Sequence, residues 1–270
     1  MPHIDVNNTE IAFESKTNAE LRQMYWLFRM FNSPSLVSVG SKMTLWALNC
    51  RLPVEWAIKK TIFQQFCGGD TLENAQKTID HLGRYNTLTV LDYGAEAKTG
   101  EEEFDRTERE MLRVVTFAGK NPTVPVISCK VTGLARFELL EKIDRQEPLD
   151  EMERAEWSRA SARLDRICRL AAEQRVGVFI DAEETWIQDA VDGLTEEMMA
   201  RYNRERVTVF NTFQLYRHDR LAFLKASHET ARAKGYLLGA KLVRGAYMEK
   251  ERSRAAEMGY PSPIQPDKAA

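Results

Sequence analysis

Five short, almost wholly apolar runs, each followed by residues with helical periodicity, constrain this chain more than any other feature. The runs are TLTVLDY (87–93), VPVISCK (124–130), VGVFID (176–181), RVTVFNT (206–212) and GAKLVRGAY (239–247). After the first comes EEEFDRTEREMLRVVTFAGK, whose Phe104, Met111, Val114, Val115 and Ala118 share one side of a helix. MERAEWSRASARLDRICRLAAEQ, TWIQDAVDGLTEEMMARY and DRLAFLKASHETARAKG follow the next three, and the fifth runs into the charged MEKER. Continuous rather than alternating apolar runs belong to strands covered on both faces, and each connection is long enough for a crossover helix. The expected sheet is therefore parallel, in an α/β fold.

The strands end in Asp92, Lys130, Asp181, Asn211 and, in the fifth, Lys241 with Arg244. Strand C-termini in α/β folds open on one face, where polar residues can meet a ligand. The tips are separated by 38, 51, 30 and 30 residues, with 29 after Lys241, so eight strands at this spacing do not fit. An open sheet or an incomplete barrel is expected over 87–270. Residues 1–86 read as an N-terminal helical region: Leu21, Met24, Tyr25, Phe28 and Phe31 recur at three- and four-residue steps, and VEWAIKKTIFQQF repeats the habit after Pro53.

With 43% apolar residues and a formal charge of −2, the 270-residue chain can bury a core and lacks the basic excess of a nucleic-acid-binding protein. Cys50, Cys67, Cys129 and Cys168 are scattered without C-x-x-C or a nearby histidine pair, so they read as buried thiols of a reducing compartment, and no metal site is expected. MPHIDVNNTEIAFESK has neither an apolar signal core nor an arginine-rich amphipathic pattern, and no apolar stretch approaches the ~20 residues needed to span a bilayer. A cytoplasmic location is expected. No G-x-G-x-x-G or P-loop appears, and His3, His81, His218 and His228 lie away from the strand tips.

Lys130 and Asp181 allow two readings, a structural ion pair at the mouth of the fold or a cation for an anionic substrate beside an orienting carboxylate. In DAEETWIQ, Glu183 is the weaker candidate, and Glu184 is expected to be solvated at a helix start. Gln214 in FQLYR offers an amide, both donor and acceptor, to the edge of a planar heterocycle, or is ordinary loop polarity. In KLVRGAY, Gly245 permits close backbone approach, Lys241 and Arg244 bring positive charge and Tyr247 a flat face. That set suits an anionic, planar cofactor; the plainer reading is a strand-to-helix turn with a core tyrosine.

KLVRGAY, DAEETW, NTFQLYR and VISCKVTGL, at these strand ends, resemble the flavin-dependent proline dehydrogenase family, and LDYGAE, NTEIAF and TIFQQFCGGDT resemble its single-function branch. The resemblance implies a distorted TIM-like (β/α) barrel, here with about five of eight strands, holding FAD at the strand C-termini. It implies oxidation of L-proline to Δ1-pyrroline-5-carboxylate, with hydride passing to flavin N5 and electrons to a quinone, often at a membrane. By that resemblance Lys130 meets the proline carboxylate, Asp181 orders the flavin site and Gln214 contacts the isoalloxazine edge. Lys241 stands where some members have an arginine near N5. Val243, Arg244, Gly245 and Ala246 line the FAD, Leu242 and Tyr247 wall the proline ring, and Glu96 pairs with an arginine of a substrate gate. Catalytic expectations thus fall on Lys130, Asp181 and Tyr247.

Family members continue past YPSPIQPDKAA into a helix, three more strands, a Thr-His-Asn stretch and an Arg-Arg pair for the substrate carboxylate. The expectation is a partial enzyme with weak or no activity alone. Expected partners are L-proline and a quinone, the latter placing the protein peripherally at an inner membrane (mitochondrial in a eukaryote), with a homo-oligomer allowed and no nucleic acid. Two rivals stay open: a Schiff-base lyase or aldolase-type barrel using Lys130 or Lys241, and a non-catalytic interaction module.

Overall fold

The apolar runs form five strands, β1 (Val90–Asp92), β2 (Val126–Cys129), β3 (Gly177–Ile180), β4 (Val209–Gln214) and β5 (Ala240–Val243). The computed structural model describes residues 7–50, 52–54, 56, 59–94 and 99–267. The chain divides into two compact units, Met1–Leu88 and Thr89–Ala270.

In the second unit all neighbouring strands pair in parallel, in the order β1-β2-β3-β4-β5. A doubly wound sheet reverses its order at a switch point; one that never reverses is an arc of a (β/α) barrel. This decides between the open sheet and the incomplete barrel. At Gly239, just before β5, an added Cβ would lie 2.2 Å from the Val209 carbonyl oxygen, so only glycine lets β5 close on β4 there.

The connections are α1 (Glu101–Ala118), α2 (Phe137–Asp144), α3 (Glu151–Gln174), α4 (Thr185–Tyr202) and α5 (Arg220–Lys234), with α6 (Met248–Met258) after β5. The 51-residue step holds two helices, α2 and α3, rather than the single crossover helix expected there. Asp150 starts α3 by a capping box: its side chain accepts from the Glu153 amide at 2.8 Å, and Glu153 accepts from the Asp150 amide at 2.9 Å. The stripe on α1 is buried as its period requires, Phe104 through Ala118 included. Arg163 of α3, 2% exposed, reaches Glu101 and Asp105 of α1.

Strand alternation sorts residues onto two faces. Ile127, Val178, Ile180, Val209 and Phe213 lie on one face, fully buried beneath the helices, where each large side chain contributes roughly 1.5–3 kcal/mol. Phe213 meets Phe223 of α5 there at 5.7 Å. The register places Ser128, Phe179, Phe210, Thr212, Lys241 and Val243 on the opposite, inner face, with Phe179 and Phe210 edge to face at 5.1 Å.

The first unit is helical, with helices Asn18–Phe31, Pro34–Asn49 and Leu72–Gly83. Thr17 and Glu20 form a capping box at the first, and Pro34 occupies the first turn of the second.

Candidate active site

The inner face ends in charge. Lys241 of β5 places Nζ 2.5 Å from Asp181 Oδ1, just past β3, with the ammonium 5.3 Å from the centre of the Phe179 ring. Both side chains are largely buried, at 28% and 15% exposure, so the pair is only partly screened by solvent. Asp181 donates its own amide to Cys129 O at 2.9 Å, which ties its position to β2. Lys130, half-buried, follows Ser128 in the alternation of the inner face and keeps extended backbone at φ −107°, ψ 137°.

Two residues beyond Asp181, Glu183 is 3% exposed. Its carboxylate accepts from the Thr132 amide at 3.1 Å and the Thr132 hydroxyl at 2.5 Å. Burial pushes the carboxyl up to about 7, against the Thr132 bonds and the nearby Lys130 charge, which favour its ionised form. The neighbouring Cys129 thiol is pushed up as well, by burial first and then by the charges of Asp181, Glu183 and Asp92.

Main-chain atoms of Glu183 open a closed ring of hydrogen bonds. Its amide donates to Gln188 Oε1 at 2.7 Å, and Gln188 Nε2 donates to Asp192 Oδ1 at 2.9 Å. Arg220 bonds Asp192 at 2.7 Å and Asp219 at 2.8 Å; Arg217 bonds Asp219 at 2.7 Å and Gln214 Oε1 at 3.1 Å. Gln214 Nε2 closes the ring on Glu183 O at 2.7 Å. Asn211, the polar tip expected on β4, faces the helices and joins this ring through Asp192 at 2.8 Å.

After β5 the chain turns through Arg244, Gly245 and Ala246, all exposed, into half-buried Tyr247, the N-cap of α6. The Tyr216 hydroxyl accepts from the Tyr247 backbone and from Gln214 Nε2 at 2.9 Å. Fully buried Glu251 of α6 accepts from the Thr185 amide and hydroxyl, both at 2.7 Å, and so caps α4 from another element. This fixes the turn relative to the tip of β3.

Several expectations change. Glu184 is 5% exposed and ion-paired with Lys250, because it occupies the N-cap of α4 beneath α6. Leu242 pairs in register with Phe213, so alternation puts it on the face opposite Lys241 and Val243; it is 55% exposed and not brought to the Asp181–Lys241 pair. Gln214 is 1% exposed with both amide hydrogens committed and Oε1 already accepting from Arg217, leaving only the second lone pair of Oε1 toward any ligand. Cys50 and Cys67 are exposed, whereas Cys129 and Cys168 are buried. Glu96 lies outside the described residues. Glu183, the weaker candidate by sequence, is instead a fully engaged buried acceptor; its adjacency to Asp181 is the only local signal, since Thr132 lies 51 residues away.

The donor set suits an anionic, planar group. Arg244 offers an exposed cation at a turn where Gly245 carries no side chain, and Lys241 is held on the inner face beside an aromatic floor. Among the described residues no group of three or more His, Cys, Asp or Glu is placed to hold a metal ion, and no helix is long and apolar enough to cross a membrane.

Residues 75–270 match the family described as proline dehydrogenase. The chain is 32% identical to hydroxyproline dehydrogenase of Xenopus laevis over 95% of its own length and 62% of that protein's. It is 43% identical to the mitochondrial proline dehydrogenase 1 of Homo sapiens over 70% of its own length and 27% of that protein's. It thus spans less than two thirds of these relatives. Among solved structures, proline utilization A (PutA) from Bdellovibrio bacteriovorus, inactivated by N-propargylglycine, superposes with a TM-score of 0.67 over 79% of this chain and 23% of that one, at 22% identity. This likeness bears on the fold.

Proposed function

The chain belongs to the proline dehydrogenase family, and we propose that it carries the greater part of a site that binds L-proline against FAD and oxidises it to Δ1-pyrroline-5-carboxylate. The observation that carries this reading is the convergence on one rim of Lys130, the Asp181–Lys241 pair and Gln214, with the exposed Arg244–Ala246 turn beside them. When bound, the flavin supplies the hydride acceptor, and a quinone, at a membrane surface, would take the electrons onward.

Lys130 would hold the proline carboxylate by a charge-assisted hydrogen bond. The half-buried Tyr247 would wall the ring, orienting the carbon next to nitrogen; fixed orientation of this kind can supply roughly 7–11 kcal/mol of a barrier. Asp181 holds the Lys241 ammonium in place, so that Lys241 would face the flavin near N5 without swinging into solvent. Gln214 would accept from the isoalloxazine edge through Oε1. Arg244, Gly245, Ala246 and Val243 would line the cofactor, with Arg244 answering its phosphate charge.

Titration of the purified protein with FAD, followed by L-proline without oxygen, tests the reading. Retained flavin whose visible absorption bleaches with L-proline, however slowly, supports it; a chain that retains no flavin, or whose retained flavin no concentration of L-proline bleaches, refutes it. The same titration with hydroxyproline compares the two substrates for which the relatives are named.

A further inference from the structure

We propose that Glu183 is a positioning residue that locks the loop carrying Lys130 onto the tips of β3 and β4. The proposal rests on the assignment of Lys130 to the substrate carboxylate. Lys130 is the N-cap of a single 3-10 turn, Val131–Gly133. So short a turn is weak by itself, and amides in its first residues have no partner within it. Glu183 supplies that partner from another strand: one oxygen takes the Thr132 amide, the other the Thr132 hydroxyl. Both bonds are buried, where an acceptor is worth most because water cannot replace it.

Glu183 is itself held on both sides. Its amide is bound to Gln188 and its carbonyl receives Gln214, so one residue links the tips of β2, β3 and β4. The division of labour within it is sharp. The carboxylate faces the Lys130 loop, with Lys130 and Glu184 as the charged groups acting on it, whereas the main chain faces the Gln214 side. Removing the carboxylate therefore frees the substrate-binding loop and leaves the Gln214 anchorage in place. A residue of purely structural importance would disturb both together.

The test uses the full chain and three variants, Glu183→Ala, Glu183→Gln and Thr132→Val. Hydrogen exchange is followed in peptides covering residues 129–135, and the affinities for L-proline and for FAD are measured separately by calorimetry and flavin fluorescence. Glu183→Ala is expected to accelerate exchange at the Thr132 amide, to weaken L-proline roughly tenfold, and to leave FAD affinity within about twofold. Glu183→Gln retains an oxygen for the Thr132 amide and should recover most of that loss. Thr132→Val, which removes only the hydroxyl bond, should weaken L-proline about threefold. Folded Glu183→Ala with unchanged L-proline affinity overturns the proposal, as does parallel loss of L-proline and FAD. If the wild-type chain binds FAD but not L-proline, the reading of Lys130 falls and the role of Glu183 with it; if wild type binds both, the variants judge Glu183 alone.

Discussion

Replacing Glu183 by Gln should change how stability depends on pH, in a way only a buried titrating carboxyl can produce. In the unfolded chain this carboxyl loses its proton near 4.5, whereas in the folded chain burial holds the proton until about 7. Between those values the folded state binds more protons, so the contribution of Glu183 is fully present below about pH 4.5 and is lost as pH rises through about 7. At about 1.4 kcal/mol for each tenfold change in proton affinity, the full loss is roughly 3 kcal/mol. Glutamine does not titrate, so Glu183→Gln lacks this fall. Urea unfolding of both proteins at closely spaced pH values between about 5 and 8.5 measures it, because carboxyls such as Asp144 and Asp192, which burial also raises, cancel in the difference. The difference should move toward the variant by 2–3 kcal/mol across that range, an order-of-magnitude figure. Parallel curves, or a difference moving the other way, would refute the reasoning by showing that the carboxylate is as well solvated folded as unfolded.

Three further outcomes are expected. Lys241→Met should lower stability by about 1 kcal/mol, since it removes a partly screened pair, and should weaken FAD binding in a fluorescence titration; unchanged FAD affinity would remove Lys241 from the flavin site. Arg220→Met leaves Asp192 buried without its cation and should cost about 3–5 kcal/mol in chemical denaturation, with Asp192→Asn in the same chain restoring part of it. Glu251→Ala removes both acceptors at the start of α4 and should lower stability by about 2 kcal/mol, with faster amide exchange confined at first to Thr185 and its neighbours.

What the amino-acid order settled by itself is whatever repeats over a few residues. Apolar runs too continuous for a one-sided strand determined the parallel sheet, and the 3.6-residue stripe through Phe104 and Val115 determined α1. The positions of Lys130 and Asp181 at strand ends were legible for the same reason, whereas Lys241, expected at the end of the fifth run, lies second among the four residues of β5. Their partnerships were not legible. That Asp181 is held by Lys241, that Glu183 serves Thr132, that Gln214 has already committed its hydrogens, and that Glu184 lies under α6 all depend on residues brought together across 31 to 66 positions of sequence. Leu242 shows the same limit within one strand: alternation separates it from Lys241, but only the pairing of β5 with β4 says which of the two faces the helices. Local periodicity records which way a side chain points relative to its neighbours; the partner that decides its charge and its role is chosen by the packing of the whole sheet.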